Sequence, residues 1–228
     1  MNTNKFTFRR FASFFRWFAA VSMKNSLLTL SVIAAVAIIA GLVSSWSHFD
    51  SDGRIFAIIL FVAVGVVASL VLSPIDKQPV RQQFISIPAS HLEKYLAILT
   101  SQIIMQALTI GIIAAADGLW AKSPGLFTFL EPFTLIGYWA LNYYAGTAIR
   151  KIPFIYGMII GGTMYLALIK NIKALLGGDD NVLLGFDGFG SKIFTTILIV
   201  AILFLSYYCF KKIRYNTWFY QHSNTGEL

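Results

Sequence analysis

Six stretches of this 228-residue chain contain no Lys, Arg, Asp or Glu, and that scarcity of charge is its dominant property. They cover residues 26–46, 55–72, 95–116, 133–149, 152–169 and 193–210. Other shortages narrow the chemistry. One cysteine, Cys209, leaves no partner for an intramolecular disulfide. The three histidines, His48, His91 and His222, fall in separate segments, with no H-E-x-x-H and no i, i+4 pair to ligate zinc. No histidine and no carboxylate lies within an apolar run, which argues against an intramembrane serine, glutamyl or metalloprotease. The pattern G-x-x-x-x-G-K-[ST] does not occur, so the chain has no P-loop for ATP. The residues call for no catalytic, metal or cofactor site.

What is present is hydrocarbon. Hydrophobic residues make up 57% of the chain against 12% charged, a balance suited to lipid rather than water. Each apolar run approaches the ~20 residues with which an α-helix crosses a ~30 Å hydrocarbon core. The expected fold is therefore all-α: a polytopic membrane protein of six transmembrane helices spanning 26–213, preceded by an interfacial helix in 1–25 and followed by a tail, 214–228. The first run is too long for the apolar core of a signal peptide, and about 25 residues precede it, so it is expected to be retained as a span.

Basic residues orient the bundle. With six spans, one face collects Lys5, Arg9, Arg10, Arg16, Lys24, Lys77, Arg81, Lys94, Arg150, Lys151, Lys211, Lys212 and Arg214, 13 of the 18 basic residues. The other face holds Arg54, Lys122, Lys170, Lys173 and Lys192, together with most of the acids. Lys and Arg mark the cytoplasmic side, so both termini are expected in the cytoplasm, with the protein in the inner (cytoplasmic) membrane. The net charge of +8 then serves anionic lipid headgroups. Nucleic acid is not an expected partner, because the positive charge is divided among separate loops.

The N-terminal segment has its own pattern. Phe11, Phe14, Phe15 and Phe18 recur at i, i+3, i+4, i+7, while Arg9 and Arg16 fall on roughly the opposite face. Such a helix lies in the headgroup plane with rings down and cations up, and Lys24-Asn25 is expected to mark the bend into the first span. A plain extension of the first span is the other reading. Within the runs, Gln102, Gln106 and Asn142 need partners in hydrocarbon, either other helices or a polar path between subunits. Gly157 and Gly161 form a G-x-x-x-G that lets helix backbones approach, and Ala37 with Gly41 makes a looser version.

The loop at 73–94 is the most patterned basic segment. Pro74, Pro79 and β-favouring neighbours predict an extended first half. Ser90-His91-Leu92-Glu93 then fits a capping box, starting a helix that runs on into the third span. With Lys77 and Arg81 upstream, Ile87-Pro88-Ala89-Ser90-His91-Leu92-Glu93-Lys94-Tyr95 resembles the LPAS…EKF signature of small ABC-2-type permease-like proteins. The six-span layout with an amphipathic N-terminal helix resembles that family too. The resemblance implies a membrane subunit of an ATP-driven exporter, acting as a homodimer or heterodimer with a separate ATPase subunit. It implies that Ser90, His91, Leu92, Glu93 and Lys94 lie near the ATPase contact. A non-transporting membrane scaffold or accessory subunit is the alternative, and a channel ranks third because no span carries a charged ring.

Overall fold

The computed structural model describes residues 6–46, 54–70, 75, 78–120, 132–148 and 189–213. Among them no strand occurs, and the helices are α1 (Phe8–Trp46), α2 (Arg54–Ser69), α3 (Gln78–Ser86), α4 (His91–Trp120), α5 (Pro132–Ala148) and α6 (Phe189–Ile213). The fifth apolar run, with Gly157 and Gly161, and the tail at 214–228 lie outside the described residues.

Among the described residues two helices, Phe8–Val43 within α1 and His91–Trp120, are long and apolar enough to cross a membrane; Ile55–Ala68 and Thr196–Lys211 are shorter apolar helices. Their outward faces carry Leu28, Val32, Ile39, Leu42, Ile58, Ile103, Leu108, Ile197, Val200 and Phe204, all exposed. An apolar surface of this extent is poorly solvated by water and well solvated by hydrocarbon.

α1 differs from expectation. It runs unbroken for 39 residues, about 58 Å at 1.5 Å per residue, with no interruption of the helix at Lys24-Asn25. No Pro or Gly interrupts 8–40, so nothing forces the hydrogen-bond ladder to open. The aromatic stripe also has another destination. Phe14 and Phe18 are buried against protein, in a cluster with Ile75, Ala89, Tyr95, Ile98, Tyr143 and Phe210, while Phe11 and Phe15 pack at its edge. Arg9 and Arg16 are exposed on the far side, as their spacing requires.

The loop before α4 also departs from expectation, because residues 78–86 form the helix α3 rather than an extended strand. Pro79 sits in its first turn, where the missing N–H has no intrahelical partner to lose and the fixed φ suits a helix. Pro88 follows its end, where the helix can no longer continue.

α1 packs chiefly on α4, α5 on α6, and α2 on both α4 and α5. The core divides into two clusters. An aliphatic one gathers Ile33 and Ala37 of α1, Phe56, Leu60 and Val64 of α2, Ile113 of α4, and Leu135 and Tyr138 of α5. The aromatic one lies at the other end of the bundle. α1 and α4 run from the aromatic cluster toward the aliphatic one, and α5 runs back. The N-terminal part of α1, the start of α4 and the C-terminal part of α6 thus meet at one end.

Close approaches hold the aliphatic half. A Cβ on Gly41 would sit 2.5 Å from the Trp120 indole, and one on Gly65 would overlap the Tyr138 phenol. Tyr138 is fixed from its other face, its ring stacked on Phe61 at 3.8 Å between centroids. α5 and α6 share a buried Thr147–Ser206 hydroxyl pair at 2.9 Å, the kind of polar contact that joins helices in lipid.

Candidate functional site

The aromatic end of the bundle is closed by a polar clasp built on the first turn of α4. Ser90 caps the helix: its Oγ accepts from the Glu93 N–H at 3.2 Å, and Glu93 Oε2 accepts from the Ser90 N–H at 2.7 Å. This is the reciprocal pair that the Ser-x-x-Glu spacing predicts. The other carboxylate oxygen reaches across the sequence. Glu93 Oε1 accepts from the Thr7 N–H at 2.6 Å and from Arg10 Nε and Nη2, both at 3.1 Å. Glu93 is fully buried and the Arg10 side chain is 25% exposed. One carboxylate therefore caps α4 and, through the Thr7 N–H just ahead of α1, holds the entry to α1 as well.

Lys94, buried beside it, makes a second tie. Its Nζ donates to the Phe84 carbonyl near the end of α3 and stands 4.8 Å from the Phe84 ring centroid and 5.8 Å from that of Phe14. The Phe84 ring meets Phe14 edge-on at 5.6 Å and Phe210 edge-on at 6.1 Å. Tyr95 extends the network, its hydroxyl donating to the Leu203 carbonyl of α6 at 2.9 Å. The short helix α3 is thereby fastened to α1, α4 and α6 through Phe84. In a low-dielectric setting contacts of this kind are strong.

Of the five residues singled out in this segment, Glu93 and Lys94 are buried. Ser90 and His91 are half-buried, and Leu92 is exposed. No local motif pointed to Thr7 or Arg10 as partners of Glu93. The available clue was electrostatic, since an acid at the start of a long apolar helix calls for a cation.

A cleft of about 230 Å³ opens between α1, α4 and the end of α2. Ser22, Asn25, Ser26 and Thr29 give α1 a polar wall, facing Ser101, Gln102 and Met105 of α4. The polar stretch that looked like a bend is thus one wall of a hollow. Gln102 is 8% exposed, and its Oε1 has no hydrogen-bond partner among the described residues.

The other two amides do not share this place. Gln106 Nε2 donates to the Val64 carbonyl at 3.1 Å, tying α4 to α2. Asn142 Nδ2 donates to Tyr138 of its own helix at 2.9 Å. Only Gln102 lines the cleft. A cysteine at 102, in a background lacking Cys209, is expected to react with a membrane-permeant maleimide, while one at 106 stays unreactive. Equal labelling of the two positions would contradict this division.

No family model, no curated protein and no solved structure matches this chain.

Proposed function

We propose that the chain is the membrane-spanning subunit of an ATP-driven, ABC-2-like exporter, with six spans, both termini in the cytoplasm and a separate ATPase as its engine. The observation that carries this reading is the attachment of α3. A nine-residue helix between two apolar helices is joined to three long ones through Phe84, and its outer side, with Gln82, Gln83 and Ile85, is exposed. Such an element turns a push from outside the bundle into movement of α1, α4 and α6.

The gathering of the α1 start, α3, the α4 start and the α6 end favours the same topology. It brings Arg9, Arg16 and the exposed Lys211 to one end of the bundle, as the basic-residue pattern requires of a cytoplasmic face. On this reading nucleotide-driven closure of the ATPase presses α3 and Leu92, and the clasp at Glu93 passes the movement to α1. The subunit pairs with a second copy or a second membrane chain.

The test is a photo-crosslinker placed at Gln83, followed by mild-detergent purification and mass spectrometry. An ATPase polypeptide crosslinked at this position is the expected result. A stable complex of other membrane chains without any ATPase would replace the exporter with a non-transporting scaffold.

A further inference from the structure

The outward edge of α1 carries charge that the bundle does not use. Arg9, Ser13, Arg16, Ala20 and Lys24 recur at i, i+4, i+7, i+11 and i+15, so they share one stripe, and all five are exposed. The three cations spread over about 22 Å of helix rise. Among the described residues none of them has an ion-pair partner; the carboxylate at this end, Glu93, is buried and bound to Arg10. Past Lys24 the stripe turns apolar, through the exposed Leu27, Ile38 and Leu42.

The depth of that change is informative. Arg10 sits beside Glu93 and Gly41 beside Trp120, so α1 and α4 run parallel, in a register that sets Met23 and Lys24 level with Ile104. α4 has no charged residue from Tyr95 to Ala116, which places Ile104 roughly 13 Å of helix rise inside its apolar run. At one level, then, the surface of α4 is aliphatic, with Ile103 and Ile104 exposed, while that of α1 is cationic. A bilayer of uniform thickness does not suit both. An ammonium at this depth is met by snorkelling toward the headgroups and by local thinning of the bilayer.

We propose that α1 from Arg9 to Lys24 binds the phosphate headgroups of anionic lipids along its outward edge and draws them inward, leaving the bilayer thinner beside α1 than beside α4. Three exposed cations without a counter-charge among the described residues call for an anionic occupant. They stand about 10–12 Å apart along the helix, a spacing that suits separate headgroups side by side rather than one chelated ion. The apolar continuation at Leu27, Ile38 and Leu42 offers a surface to the acyl chains of the same lipids. A second copy of the chain docking by this face would set the same cations against each other, a like-charge contact that works against association.

This surface rests on the membrane reading of the chain and needs no ATPase, so its test uses the full chain alone. Single-cysteine variants of a chain lacking Cys209 are placed in vesicles of phosphatidylglycerol and phosphatidylcholine, with a membrane-impermeant maleimide on both sides. Met23→Cys and Ile104→Cys form a matched pair at one level, the native side chains being 59% and 47% exposed. Met23→Cys is expected to react at least about tenfold faster, because water and headgroups reach it. In mild detergent with equal amounts of the two lipids, native mass spectrometry reads what the protein retains. Phosphatidylglycerol is expected to be retained at least about fivefold over phosphatidylcholine, and a triple variant, Arg9→Gln with Arg16→Gln and Lys24→Gln, to lose most of that preference. All three side chains are exposed, so this variant should fold, and its melting temperature checks that it does. Equal labelling of the cysteine pair, equal retention of the two lipids, or an unchanged preference in the triple variant would each overturn the proposal. So would an acidic polypeptide photo-crosslinked at Ala20 in place of lipid, which would assign the stripe to a protein partner. If the lipid preference is found but no ATPase crosslinks at Gln83, the headgroup surface stands and the exporter reading falls.

Discussion

Glu93→Ala is expected to destabilise the protein by about 3 kcal/mol, the lower end of the cost of breaking a buried ion pair. The lower end applies because Arg10 is 25% exposed and water can approach its guanidinium once the carboxylate is gone. The loss has three parts: the cap of α4, the acceptor for Thr7 at the entry to α1, and the counter-charge of Arg10. Arg10→Leu should cost less, since Glu93 keeps the Thr7 and Ser90 N–H groups. Glu93→Gln should fall between wild type and Glu93→Ala, because an amide retains one acceptor oxygen but turns an NH₂ toward donors. Thermal melts in detergent order the variants. A Glu93→Ala protein that melts with the wild type would remove the clasp from the argument.

The second large effect is expected at Gly65. Gly65→Ala should cost about 1–3 kcal/mol, the usual penalty for overpacking a well-filled core. Tyr138 cannot yield easily: it is buried, and its ring is stacked on Phe61. The clash falls on the phenol hydroxyl, so Tyr138→Phe should recover much of the loss in a double variant. Gly41→Ala should be milder, because Trp120 ends α4 and is only half-buried, leaving its indole room to swing. Additive losses in Gly65→Ala with Tyr138→Phe would show that the hydroxyl is not what Gly65 accommodates.

Some of this molecule was legible in advance, and the pattern of success is physical. The Ser90–Glu93 cap was readable because it is local: two side chains and two N–H groups within one helical turn decide it. The Phe11–Phe14–Phe15–Phe18 stripe was readable as a shared face, but periodicity cannot say what covers a face. Lipid headgroups were expected, and Phe84, Ile75 and Phe210 supplied the contact instead. α3 was hidden by Pro79, since proline discourages a helix in its interior but not in its first turn. The apparent bend at Lys24-Asn25 rested on polarity alone. Polar side chains with a cleft to line give a helix no reason to break. Gln102, Gln106 and Asn142 looked equivalent in the sequence and separated only when their neighbours were known.

Thr7 is held by a residue 86 positions further along the chain. The stretch around Thr7 is therefore made well before it can be seated, since its berth does not exist until α3 and α4 have been made. Until then the four phenylalanines of the stripe, Phe11, Phe14, Phe15 and Phe18, need temporary shelter. Folding would thus pass through a stage in which this segment is already made but still waits for the surface that finally covers it.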